Sequence, residues 1–290
     1  MNRIKKSLIL SSAAILMHAA HAEELAKPAL QWSSSGFAHP ESVAYDTKRD
    51  NFYVTNNDGG PMAQDGKAYI SRLGKNGELL ERSWVRGLNA PKGIAQYEDS
   101  LYIADIQQLR VVDIPTGKVT QTITAEDSKM LNDVSVDEQG NVYVSDVVGG
   151  GIFRLQGQTL AKWVESDAFS HPNGLFVDGN RLLVVNWGEG MREDFSTDTL
   201  GGIYAVDIAT KKVEPLPGAQ QIGNLDGITK IRGNIIVSDM LAGKIMQYSN
   251  GQTKLLFDSG KGSADIASYG DNLLVPVMPE GKIDSYTFKP

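Results

Sequence analysis

The sequence predicts an all-β protein, a six-bladed β-propeller with four antiparallel strands per blade, and three observations carry that prediction. Six segments repeat one pattern: a small polar pair, an alternating strand, a Gly/Asn/Asp turn and a second strand. Counted from position 41 through 92, 132, 173, 226 and 264, their spacings are 51, 40, 41, 53 and 38 residues. Repeats of ~40–50 residues with β character belong to propellers. Beyond the N-terminus, no segment sustains the 3.6-residue apolar period of a helix.

The elements follow in chain order. Arg3, Lys5 and Lys6 precede the apolar stretch from Ser7 to Met17, and Ala20-His21-Ala22 has the small residues of a signal-peptidase site. The stretch is shorter than the ~20 apolar residues of a transmembrane helix. Residues 1–22 therefore read as a secretory signal peptide, an uncleaved anchor being the alternative. Residues 23–290 read as a single domain, periplasmic or secreted and without membrane insertion. Cleavage takes the net charge from −7 to −10. The first and second strands of the repeats fall at 40–46 and 51–54, 91–95 and 101–103, 131–137 and 141–144, 172–178 and 182–184, 225–228 and 235–237, and 264–267 and 273–275. Third strands begin at Ala68, Leu109, Gly151, Gly202, Lys244 and Lys282, and a fourth follows in five repeats, as at 119–123 and 254–257. The sixth repeat ends after its third strand. Segment 30–33 stands where a spare fourth strand should be, and pairing it with the last blade would close the ring and remove its open edges.

Composition excludes several function classes. With no Cys there is no disulfide scaffold, thiolate zinc site or Cys nucleophile. Lys and Arg number 28 against 35 acidic residues, so the basic surplus needed for a nucleic-acid partner is missing. Outside the leader the only histidines are His39 and His171. A three-His zinc site is thereby impossible, and a Ser-His-Asp triad would have to use one of the two. Neither a G-x-S-x-G nor a Walker pattern occurs.

In a blade, residues that open the first strand and residues that close the second meet at one face, around the channel mouth. The openers are Glu41, Lys92, Asn132, Asn173, Asp226 and Ala264; the closers are Asn56, Asp105, Asp146, Asn186, Asp239 and Val277. Ten of these twelve are polar, more than turn propensity for Asn and Asp explains, because a Glu and a Lys share the same repeat position. Glu41, Asn132, Asn173 and Asp226 form an all-oxygen set, the donor type of hard divalent cations, and a wide ring suits calcium over magnesium. A hydrogen-bonded channel plug is the alternative. Lys92, Asp105, Asp146, Asn186, Trp187 and Asp239 are the substrate-binding candidates. Long insertions at 57–66 and 187–201 would wall the same face. Trp187 either faces a ligand or caps the core.

At these residues the chain resembles the calcium-dependent propeller hydrolases of the gluconolactonase–regucalcin family. That family places a metal-binding Glu in the first blade, Asn followed by Asp in the third, Asn-Gly in the fourth and Asp-Gly in the fifth. Glu41, Asn132-Asp133, Asn173-Gly174 and Asp226-Gly227 match in that order. The resemblance covers essentially all of residues 36–290. It implies calcium held by Glu41, Asn132, Asn173 and Asp226, with Asp226 also the catalytic base. Lys92 departs from the family pattern. The expected function is an exported calcium-dependent hydrolase of a lactone or related ester, acting on a small molecule. The alternative is a non-catalytic propeller that binds a small ligand or a periplasmic protein partner.

Overall fold

The structure, a computed structural model, describes residues 25–289; the signal-peptide reading of residues 1–22 lies outside them. Six four-stranded antiparallel sheets form the blades of a propeller. Their first strands are Pro40–Asp46, Pro91–Tyr97, Leu131–Val136, Pro172–Asp178, Leu225–Ile231 and Ala267–Tyr269. Each lies against the first strand of the next blade, and that of blade 6 returns to that of blade 1. The Asp265 amide donates to the Glu41 carbonyl across this last junction, at 3.0 Å. Blade 6 continues through Asn272–Val277 and Lys282–Thr287, and its outer strand is Ala29–Ser35 from the other end of the chain. Ala29 stands opposite Thr287 and Ser35 opposite Lys282 in that pairing.

Burial falls from the channel outward, and the residues follow it. Second strands such as Arg181–Asn186 and Asn234–Asp239 are covered on both faces by neighbouring blades and read as apolar runs. The outer strand Lys118–Thr124 is exposed at all but one residue and is polar accordingly. Instead of one central core, six apolar clusters fill the six gaps between blades. Between blades 1 and 2, for example, Tyr53, Ile70 and Leu88 pack against Ile94, Leu101 and Ile103. Fully burying such a side chain contributes roughly 1.5–3 kcal/mol. A chain without disulfides is thus held by the repetition of these contacts.

One irregularity recurs and positions the site. In blades 1 to 5 the first strand carries a bulge at the same place, so that two residues oppose one across the pair. The doubled residues are Glu41-Ser42, Lys92-Gly93, Asn132-Asp133, Asn173-Gly174 and Asp226-Gly227, the opener and its neighbour. In blades 1, 3 and 5 a second-strand hydroxyl fills the bulge: the amides of Ser42, Asp133 and Gly227 donate to Thr55 Oγ1, Ser145 Oγ and Ser238 Oγ at 2.8–2.9 Å. Glycine at the second position has a steric cause. A Cβ on Gly174 would stand 2.2 Å from the Asp226 carbonyl oxygen, and one on Gly227 2.2 Å from the Ile266 nitrogen.

Candidate functional site

A cavity of about 330 Å³ opens at the channel mouth, within the size range of small-molecule sites. Glu41, Lys92, Asn132, Asn173 and Asp226 line it from the inner strands. All five openers with polar side chains are therefore brought together, each 2–6% exposed. Trp187 lines it too: its Nε1 donates to the Phe195 carbonyl at 2.8 Å, and its ring packs with Met130 and Val147. The indole thus faces the cavity and caps a small apolar cluster at once. The insertion of blade 4 is partly ordered as a two-stranded ribbon, Gly188–Glu189 with Thr199–Leu200.

Four of the substrate-binding candidates stand elsewhere. Asp105, Asp146, Asn186 and Asp239 do not line the cavity; they secure backbone. The Asp105 carboxylate accepts from the amides of Asn89 and Ala90 and pairs with Arg110 at 3.0 Å. Asp146 accepts from Lys129, Met130 and Gly149, Asn186 from His171, and Asp239 from Ala242. In blades 1 to 4 the closer ties down the loop that enters its own blade, Asn56 accepting from Ala38. That duty engages these side chains away from the cavity lining. The residue one step further does face it: Asn57, Val147, Trp187, Met240 and Met278 each follow a closer, and all line the cavity. This second repeat position was present in the spacing, one residue beyond the polar one that draws the eye. Of the two histidines, His39 lines the cavity, with a left-handed backbone at φ 45°, whereas the His171 ring is hydrogen-bonded to the Val147 carbonyl.

The site's electrostatics follow from burial. Desolvation and the Asp226 charge raise the Glu41 carboxyl well above its ordinary range, with Lys92 opposing. Asp226 is pushed up to about 7 by desolvation and the Asp265 charge, against a hydrogen bond from Asn173 and the Lys92 charge. Lys92 is lowered by desolvation, and Glu41, Asp226 and Asp105 work against that. No hydrogen bond or ion pair holds the Lys92 ammonium among the described residues.

A second acidic layer lies beneath. Asp133 accepts from the amides of Val134 and Leu175 at 2.6 Å and shares a hydrogen bond with Asp265, which also accepts from Ser42 Oγ. Burial raises Asp133 to about 7 and Asp265 well above its usual value. The folded protein then holds protons that the unfolded chain releases between about pH 4 and 7, and stability falls as pH rises through that window. In chelator-treated protein, Tm is expected to drop between pH 5 and 7.5, and Asp265→Asn to flatten the slope. A pH-independent Tm would contradict this.

The donor chemistry fits a hard cation. Glu41 Oε2, Asn132 Oδ1 and Asn173 Oδ1 are buried without hydrogen-bond partners, as is Asn57 Oδ1. Buried acceptors left unpaired are costly and call for a partner. Among the described residues no three Asp, Glu or His side chains gather as a metal group, so amide oxygens would have to complete the set.

The chain matches no protein-family model and no curated protein. It is similar to solved propellers. A catalytically inactive virginiamycin B lyase from Staphylococcus aureus with quinupristin is 13% identical, at a TM-score of 0.60 over 89% of this chain and 99% of that one. The WD40 propeller domain of Doa1 is 12% identical, at 0.63 over 86% and 79%. A chain of the nidogen/laminin complex is 17% identical, at 0.55 over 72% and 75%. These likenesses establish the propeller architecture. No described helix is long and apolar enough to cross a membrane.

Proposed function

We propose that the protein is a calcium-dependent hydrolase of a lactone or related ester, exported by the cationic-apolar leader of residues 1–22. One observation carries the reading: three unpartnered buried oxygens, from Glu41, Asn132 and Asn173, line one cavity with the Asp226 carboxylate. The ordered resemblance to the gluconolactonase–regucalcin family supports it, and the virginiamycin B lyase neighbour shows that an architecture of this kind hosts an enzyme. When bound by those four residues, calcium would supply Lewis-acid polarisation of the substrate carbonyl.

The chain's own groups do the rest. The Asp226 carboxylate takes a proton from the attacking water as the water's oxygen bonds the carbonyl carbon. The carbon–oxygen bond of the ester breaks, and the leaving alkoxide recovers that proton, giving a hydroxy acid. Lys92 offers a fixed cation to the anionic charge that develops. Trp187 and the surrounding methionines exclude bulk water.

Lys92 also favours a second reading, a non-catalytic site for an anionic ligand, because this buried cation lines the cavity and forms no ion pair among the described residues. Metal analysis of the purified protein and lactone hydrolysis with and without chelator separate the two. The hydrolase reading expects bound calcium and turnover lost on chelation. Protein without metal or turnover, across sugar and alkyl lactones, would overturn it.

A further inference from the structure

The cavity is built from two chemically different halves. Its polar groups sit at the inner-strand end, and the loop end is carbon and sulfur. Met130, Val147 and Trp187 are buried against one another there, with Met191 and Met240 half-buried beside them. Met278, Leu241 and Pro61 continue the wall. Three polar side chains accompany that wall, His39, Asn57 and Asp194. Asp194 Oδ1 accepts from the amide and hydroxyl of Ser196. Asn57 Oδ1, buried and unpartnered, can take one donor.

A ligand must satisfy this lining as a protein interior satisfies its own. Hydroxyls placed against thioethers lose their water without gaining a partner. A saturated or aromatic group gains contact with the same wall, and methionine adapts to its shape. We propose that the cavity selects a lactone or ester bearing an alkyl or aryl substituent and rejects polyhydroxylated sugar lactones. The head group rests on the hydrolase reading; the tail rests on the cavity wall alone.

The two are separated by a ligand that cannot be hydrolysed. A pentyl-substituted cyclopentanone, the carbocyclic analogue of a pentyl γ-lactone, is titrated into the calcium-loaded full chain alongside D-glucono-δ-lactone, with thermal shift and Trp emission as readouts. The ketone is expected to raise Tm and change the emission, and the sugar lactone to do neither. Replacing the half-buried wall by Met191→Gln with Met240→Gln should weaken ketone affinity roughly tenfold. The Tm of the free double variant shows whether it folds. If it does not, the wild-type comparison between ketone and sugar lactone still decides. Ketone binding without hydrolysis of any lactone would leave the tail preference standing and remove the hydrolase. Catalysed consumption of the sugar lactone, its equal or tighter binding, or binding of neither ligand, would overturn the preference.

Discussion

Asp226→Asn should reduce lactone turnover by about 10²–10⁴-fold, the usual contribution of a positioned general base, while leaving the propeller folded. The substitution is nearly isosteric and keeps an oxygen for a cation, so it removes the proton acceptor and the charge together. The fold should tolerate it because Asp226 sits where burial and neighbouring carboxyls already disfavour its ionised form. Tm of the metal-free variant should equal or exceed that of the parent. Comparing kcat for the two proteins at saturating calcium checks the first expectation, and a melting curve checks the second. Equal turnover would remove Asp226 from the chemistry; a collapsed Tm would show that its charge is structural.

Lys92→Met should tighten calcium binding by up to about a thousandfold. Two unit charges 4 Å apart interact by about 4 kcal/mol at an effective dielectric of 20, and every 1.4 kcal/mol is tenfold in affinity. The Lys92 ammonium shares the cavity with Glu41 and Asp226 and is buried to 4% exposure. Its positive charge thus opposes a cation held by those carboxylates. Methionine keeps much of the volume and none of the charge. Without calcium the variant should melt close to the parent, since burial already pushes the Glu41 and Asp226 carboxyls it leaves behind toward their neutral forms. Calcium titrations followed by Tm test both points. A variant that is strongly destabilised, from a parent that does not respond to calcium, would mean that Lys92 takes the place of the metal, and the hydrolase reading would fall.

Much of the architecture is legible along the chain because a propeller is a local repeat. Strand, turn and strand recur within about forty residues, and the six copies align on Glu41, Lys92, Asn132, Asn173, Asp226 and Ala264 without knowledge of any distant contact. Ring symmetry places equivalent positions at equivalent depth, and the five polar openers, though not Ala264, line one cavity. The closers show the limit. Asp105, Asp146, Asn186 and Asp239 share a repeat position with one another, but spacing cannot tell an oxygen turned to a ligand from one that binds the loop beside it. Only the path of that loop, with its free amides at Asn89, Lys129 and His171, resolves them as backbone anchors. Met130, Met191, Met240 and Met278 were equally hidden, since in a sequence they look like ordinary core residues.

Residue order therefore settles the number of blades, their strand sequence and the presence of an oxygen-rich ring, all of which depend on short-range periodicity. The tertiary structure settles which polar groups are partnered and which carboxyls burial pushes above their usual range. It also gives the cavity its apolar half. Those properties arise from burial and from neighbours that are distant in sequence, as when Asp133 comes beside Asp265 and the Asp226 charge acts on Lys92. Desolvation is a property of the assembled ring, and no single repeat contains it.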